Sequence, residues 1–310
     1  THRGERYQRT SRKPAVAFST DVRVDLGRRD FTVNAMALEL PSRRLIDPCG
    51  GFDDLARRVL RAPDDPRRLF DEDPLRILRA ARFAAVLGLR PQPDVVAAMT
   101  TTCERLEIVA AERISVELEK LLTAPAPGEG VALLARTGVL EFLGVLRAST
   151  EQAADGPDIG TAVDATTPVH ELRWAVLLRL GGHDGAGARA VLDRLRHSAD
   201  VGKRVAAILG ALEDLTSDAQ EPDAQAQEPR ARALLARRHG HVDDAVAVAE
   251  AVGLTTDPEL LDTLRRVESA EGVPRLGSPL DGDAVIELAG RHGVEISGPQ
   301  IGEALRFLLA

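Results

Sequence analysis

The sequence predicts a mostly α-helical protein with a small α+β part at its N-terminus. Three observations predict it. Aromatic residues are only 3% of the 310, while hydrophobic residues make up 44%. The core must therefore be built from Leu, Val, Ile and Ala, a composition that favours helices. From about Asp71 onward the apolar spacing is helical, with Leu75, Leu78, Ala81, Ala85 and Val86 falling three or four residues apart. Residues 1–48 differ: Ala15-Val16-Ala17-Phe18 and the run from Ala35 to Leu40 are short and apolar, and polar turns separate them.

Taken in order, the N-terminal runs are strands or brief helices. Asp47-Pro48-Cys49-Gly50-Gly51 reads as a turn. Helices are expected over Asp94–Leu106, Ala111–Leu122 and Gly130–Arg136. Two polar stretches, residues 148–168 and 216–230, read as linkers. The second is acidic and lacks large apolar side chains, so disorder is expected there. No apolar run is long enough to span a bilayer. The two cysteines, Cys49 and Cys103, lie far apart in unrelated contexts, which suits a reducing cytoplasm rather than a disulfide framework. The first residue is Thr1, and the chain reads as a fragment or a processed product.

The net charge of −8 hides an asymmetry. Residues 1–90 hold 19 Lys and Arg against 13 Asp and Glu; the remainder holds 21 against 35. Any polyanion is therefore expected to meet the first part of the chain.

Two clusters carry chemistry. The first is Arg28-Arg29-Asp30-Phe31-Thr32-Val33-Asn34-Ala35. Arginine offers a fork of donors that fits phosphate, and a nearby carboxylate can accept from a ribose hydroxyl. Alone, the cluster reads more readily as a surface Arg–Asp pair at a turn. The second is Glu72-Asp73-Pro74-Leu75-Arg76-Ile77-Leu78-Arg79-Ala80-Ala81-Arg82-Phe83. Asp73 and Pro74 mark a helix start, with Asp at the cap and Pro at the first helical position. Arg76, Arg79 and Arg82 then form a slanting basic ridge that can follow a triphosphate or an RNA backbone. Cytosine and adenine both place an amino donor beside a ring-nitrogen acceptor. An Asp73/Arg76 pair complements both and would reject uracil and guanine, whose carbonyl stands where Asp needs a donor.

Read together with Ile46-Asp47-Pro48-x-Gly50-Gly51-x-x-Asp54-Leu55, Leu60-Arg61 and Glu107-Ile108-Val109-x-x-Glu112-Arg113-Ile114-x-x-Glu117-Leu118, these clusters resemble the bacterial class II tRNA nucleotidyltransferases, the CCA-adding and poly(A) polymerase family. The resemblance is strong over residues 1–140. It implies a partial nucleotidyltransferase head (1–68), a helical neck (69–147), a helical body (169–215) and a helical, RNA-binding tail (231–310). It implies that Arg29 meets the nucleotide phosphates and Asp30 the ribose, with Asn34 beside them. Asp73 and Arg76 would be the amino-acid template for CTP or ATP, and Arg79 and Arg82 would support the phosphates. The partner would be tRNA, the compartment the cytoplasm, and the cofactor Mg²⁺.

Two departures from the family pattern stand out. The family's glycine-rich loop and Asp-x-Asp metal pair precede the motif that begins here at Arg28, so the Mg²⁺ ligands are expected upstream of Thr1. On that expectation the 310 residues alone add no nucleotide. Asp21 and Asp25 approach the motif but do not form the pair. Some relatives also carry a phosphohydrolase helix reading Leu-Leu-His-Asp. Here His183-Asp184 falls late, in a glycine-rich loop, and is expected to be no metal site. A poly(A) polymerase and a non-catalytic RNA-binding module are the alternatives.

Overall fold

The computed structural model describes residues 2–6, 15–19, 21–147, 157–216, 224–238 and 241–271. The chain forms two compact units, Thr1–Ala206 and Ala207–Ala310. As the composition implied, helices dominate among the described residues, and the strands described there are short pairs within the first 91 residues.

Strands β1 (His2–Arg6) and β2 (Ala15–Ser19) pair antiparallel, with Gly4 opposite Ala17. Helix α1 (Val22–Gly27) follows; Asp21 caps it by accepting from the Arg23 N–H at 2.9 Å. A 3₁₀ turn, Thr32–Asn34, leads into the hairpin of β3 (Ala37–Glu39) and β4 (Arg44–Ile46). Helix α2 (Gly51–Ala56) starts where the Asp47 carboxylate accepts from the N–H groups of Gly51 and Phe52, at 2.8 and 2.9 Å. Strand β5 (Val59–Leu60) comes next.

The Asp-Pro-x-Gly-Gly motif has a steric reason. Gly50 sits at φ 74°, in the left-handed region that favours glycine. A Cβ on Gly51 would lie 1.9 Å from the Thr32 carbonyl oxygen, so only glycine lets α2 approach the 3₁₀ turn. Asp54 on α2 then locks the contact: it accepts from Thr32 Oγ1 at 2.6 Å and from Arg61 Nε at 3.0 Å. The Arg61 backbone carbonyl in turn accepts from the Thr32 N–H at 2.9 Å. This clamp fixes the segment that carries Arg29 and Asp30.

Helix α3 (Pro66–Glu72) is capped by Asp65. It stops at Asp73, which is extended at φ −144°, ψ 94°. Pro74 is the cause, because its ring disfavours the helical region for the preceding residue. Helix α4 (Leu75–Leu87) then begins one residue later than Asp73-Pro74 alone suggests; Pro74 is its N-cap. Asp73 still serves the start, accepting from the Leu75 N–H at 3.3 Å. The buried face of α4 is Leu75, Ile77, Leu78, Ala80, Ala81 and Ala84. Val86, placed on the apolar stripe by spacing, is 46% exposed, because the stripe ends where the helix caps at Gly88.

Strand β6 (Arg90–Pro91) pairs parallel with β5. Helix α5 (Pro93–Thr102) runs into a 3₁₀ turn, Cys103–Ile108, where one continuous helix to Leu106 was expected. Helix α6 (Ala111–Leu122) has the predicted bounds. Helix α7 (Gly128–Arg136) packs directly on α4: a Cβ on Gly130 would meet the Ala81 carbonyl oxygen at 2.5 Å. Helices α8 (Val139–Phe142), α9 (Ile159–Asp164) and α10 (His170–Leu180) complete this layer. Helix α9 falls inside the stretch read as a linker; Ile159, Ala162 and Val163 are buried and give it a core. Arg173, 1% exposed, donates through Nη1 to the carbonyls of Leu122 and Ala124, at 2.5 and 2.6 Å, and so closes the C-terminal end of α6.

Helix α11 (Gly185–Arg194) is capped by Asp184, which accepts from the Gly187 N–H at 2.7 Å. His183 is 7% exposed beside it. Among the described residues no group of three or more His, Cys, Asp or Glu side chains could hold a metal ion. Helix α12 (Ala199–Thr216) follows.

In the second unit, α13 (Ala224–Arg238) occupies part of the stretch expected to be disordered and contains Pro229. Residues 217–223 of that stretch lie outside the described residues. Arg230 gives α13 its anchor, donating to the Asp214 carbonyl at 3.0 Å and to Asp257 at 3.5 Å. Helices α14 (Val242–Val252) and α15 (Pro258–Glu271) follow, with Val248, Leu260, Leu264 and Val267 buried. No helix among the described residues is long and apolar enough to cross a membrane.

Candidate functional site

The break between α3 and α4 faces the clamped segment after α1, and a pocket of about 490 Å³ opens there. It is lined by Arg29, Asp30, Asn34, Asp73, Leu75, Arg76, Arg79, Phe83 and Arg113. Four guanidinium groups and two carboxylates therefore meet in one cavity. This balance suits an anionic ligand that also carries hydrogen-bonding edges.

Asp30 is the structural centre. Its side chain is 7% exposed. Oδ1 accepts from the Phe31 N–H and from Asn34 Nδ2, both at 3.0 Å. Oδ2 accepts from Arg79 Nε at 2.8 Å and Nη2 at 2.5 Å. The two sequence clusters are thus joined across 49 residues by one ion pair, in which two guanidinium nitrogens donate to a single carboxylate oxygen. Arg29 stands at the rim, 51% exposed, with Nη2 3.3 Å from Asp25. Arg28 takes the other oxygen of Asp25 at 2.5 Å.

Arg76 presents its fork differently. Nη2 donates to the Arg28 carbonyl at 3.0 Å, which ties α4 to the α1 segment. Nη1 is buried and has no hydrogen-bond partner. A buried guanidinium donor without an acceptor is costly, so this nitrogen marks where a ligand acceptor fits. Asp73 stands three residues away, held outside the helix by Pro74.

Six of the seven site residues named from sequence line this pocket; Arg82 does not. Three residues on a helix advance about 300°, so each step along Arg76, Arg79 and Arg82 turns about 60° backward. By Arg82 the side chain has turned about 120° from Arg76 and faces α6 instead. There its Nε donates to Glu117 at 2.8 Å, and its guanidinium lies 4.4 Å from the centre of the Phe83 ring. Glu117 also accepts from Lys120 at 3.0 Å. Burial would raise the Glu117 pKa, but the hydrogen bonds from Lys120 and Arg82 outweigh it and hold the carboxyl below its usual value. Phe83, seven residues after Arg76, returns to nearly the same face and walls the pocket. It meets Phe31 edge-on at 5.8 Å.

Arg113 and Phe83 were not named as site residues from the sequence. Phe83 could have been found by its seven-residue spacing from Arg76. Arg113 could not, because it comes from α6, and only the packing of α6 on α4 brings it to the pocket.

The two pocket carboxylates do not form a seat for a divalent ion: both oxygens of Asp30 accept from protein donors, and Oδ1 of Asp73 accepts from the Leu75 N–H and faces Arg113.

Residues 1–61 match the poly A polymerase head domain, and residues 88–144 match the probable RNA and SrmB-binding site of polymerase A. The CCA-adding enzyme of Streptococcus gordonii is 40% identical over 172 residues, which are 56% of this chain and 42% of the relative. The CCA-adding enzyme of Limosilactobacillus fermentum is 44% identical over 131 residues, 42% of this chain and 32% of the relative. The chain thus spans less than half the length of these relatives. Among solved structures, the Bacillus stearothermophilus CCA-adding enzyme in complex with CTP superposes with a TM-score of 0.65 at 29% identity, covering 95% of this chain and 70% of that one. The head and RNA-binding segments match on either side of the pocket-forming helix, and the chain is similar in sequence and fold to CCA-adding enzymes.

Proposed function

We propose that this protein adds CMP and AMP to the 3′ end of tRNA, using CTP and ATP, and that Asp73 and Arg76 select the base. The observation that carries the reading is the free, buried Nη1 of Arg76 three residues from Asp73, at the bottom of an arginine-lined pocket. The Asp73 carboxylate would accept from the exocyclic amino group of cytosine or adenine. Arg76 would donate to the adjacent ring nitrogen. Arg29 and Arg79 lie where the triphosphate would extend, and Asp30 holds Arg79 in place and frames the ribose side with Asn34. Arg82 would support the phosphates through Phe83 and α4 rather than by contact.

In the reaction, the RNA 3′-hydroxyl oxygen attacks the α-phosphorus, a phosphodiester forms and pyrophosphate leaves. Magnesium, when bound, activates the hydroxyl and neutralises the leaving group. The part of the pocket residues is binding, orientation and selection. We assign residues 1–68 to the head, 69–147 to the neck, 169–215 to the body and 231–310 to the RNA-binding tail, and the cytoplasm as the site of action.

The test is extension of tRNA lacking its three terminal nucleotides by the protein isolated from its native cells, with all four nucleoside triphosphates present. Ordered incorporation of two CMP and one AMP is expected. A run of AMP would replace this reading with poly(A) synthesis. RNA binding without extension would replace it with a non-catalytic module.

A further inference from the structure

We propose that Ser115, His197, Glu119 and His170 form an acid-released latch that fastens helix α10 and the α11–α12 connection to helix α6. All four belong to the first unit, and none of them lines the nucleotide pocket. Ser115 and Glu119 stand one helical turn apart on α6. The Ser115 hydroxyl meets His197 Nε2 at 3.0 Å. The other ring nitrogen, Nδ1, faces Glu119 Oε2 at 3.8 Å. The same oxygen accepts from Trp174 Nε1 at 3.5 Å, and Glu119 Oε1 stands 3.2 Å from His170 Nδ1. Beyond His170, Glu171 Oε2 lies 3.5 Å from its Nε2, and Arg204 on α12 faces Glu171 at 3.6 Å.

Backbone geometry brings His197 to this position. Helix α11 ends at Arg196, in the left-handed region at φ 62°, which residues other than glycine adopt at a cost. That turn lets the His197 N–H donate to the Leu192 carbonyl at 3.0 Å. The imidazole is 7% exposed and meets the Trp174 ring edge-on at 5.0 Å. Trp174 itself is fully buried. Binding and selection of the nucleotide use neither histidine.

One carboxylate therefore serves two imidazoles. Burial holds the His197 pKa below the usual histidine value; Glu119 pulls it up, and His170 pushes it down. A group whose folded pKa is depressed favours the fold in its neutral form. That contribution is full above the ordinary histidine value of about 6.5 and is lost as the pH falls below it. In acid the buried imidazole must charge. Relief comes from bringing it to water, which parts α10 and the α11–α12 connection from Ser115 and Glu119. Arg173 keeps its hold on the carbonyls of Leu122 and Ala124, because a guanidinium does not titrate in this range, so the opening is local. Helix α6 also lends Arg113 to the nucleotide pocket, so the latch links acidity to an element that lines it.

The chain has a single tryptophan, Trp174, so its emission reads the latch in the intact 310 residues. An imidazolium quenches a neighbouring indole. The test follows emission from about pH 8 to about pH 5, with circular dichroism showing that the helices persist. A reversible fall is expected, with its midpoint below the ordinary histidine value. Quenching by acrylamide should rise about threefold across the same transition, as Trp174 meets solvent. His197→Gln keeps a hydrogen-bonding group for Ser115 but does not titrate, and should abolish both changes. Glu119→Gln should lower the midpoint by about half a unit and His170→Gln should raise it by about half a unit. These two partly exposed positions carry the test if His197→Gln does not fold. Emission that ignores pH, a transition that survives His197→Gln, or midpoints unmoved in both partner variants would overturn the latch. A fall in emission with no added access for acrylamide would show a histidine that titrates and releases nothing, and would overturn it equally.

Discussion

Arg76→Ala is expected to weaken CTP binding about a hundredfold and to erase the preference for CTP over UTP. The expectation rests on what the side chain does without ligand. One nitrogen is spent on the Arg28 carbonyl, and the other is buried with nothing to accept its proton. A ligand that supplies an acceptor there removes a desolvation penalty and forms a charge-assisted bond, together about 3 kcal/mol. That corresponds to about two orders of magnitude in affinity. Uracil and guanine place an N–H where cytosine and adenine place a lone pair, so they gain nothing from Arg76. Loss of the guanidinium should therefore fall on CTP and ATP and spare UTP and GTP. Equilibrium dialysis of the four nucleotides against native and variant chains reads this directly. An equal loss for all four would show that Arg76 serves the phosphates instead.

Asp30→Ala is expected to act without selectivity, destabilising the first unit by about 3–5 kcal/mol and abolishing binding of every nucleotide. The carboxylate is 7% exposed and receives four donors from Phe31, Asn34 and Arg79. Its removal leaves the Arg79 guanidinium unpaired in a site where that side chain is only 32% exposed. It also frees the segment that carries Arg29. For a unit of this size the melting temperature should fall by roughly 10 °C, read by scanning calorimetry. A melting temperature and nucleotide affinities equal to those of the native chain would contradict the placing of Asp30 at the centre of the pocket. The contrast between the two variants is itself informative. Arg76 loss should change which nucleotide binds, and Asp30 loss should change whether any does.

Much of the architecture was legible before any coordinates. The helix Ala111–Leu122 follows from its spacing, because burial imposes a local period on the chain, whereas the short apolar run Ala15–Phe18 marked an element without deciding between strand and brief helix. Asp73-Pro74 marks a helix boundary by stereochemistry alone, although the helix starts one residue later than a simple capping rule places it. What was not legible depends on contacts between distant segments. Nothing local shows that Gly51 must be glycine because of the Thr32 carbonyl, or that Asp54 closes a clamp with Thr32 and Arg61. Helix α13 forms despite a polar, proline-containing sequence because Arg230 ties it to Asp214 and Asp257, contacts that composition does not reveal. The ridge of arginines on α4 could be seen as a ridge, but its rotation carries Arg82 away from the pocket to Glu117. Arg113 approaches Asp73 only because α6 packs on α4.

The central claim is that this pocket distinguishes bases by the Asp73–Arg76 pair. The most direct measurement is the affinity of the unaltered 310-residue chain for CTP, ATP, UTP and GTP under one set of conditions. CTP and ATP are expected to bind at least tenfold more tightly than UTP and GTP, because only they offer an amino donor to Asp73 and a ring acceptor to Arg76. Equal affinity for all four, with binding still dependent on Arg29 and Arg79, would show a pocket that reads only phosphate and would contradict it.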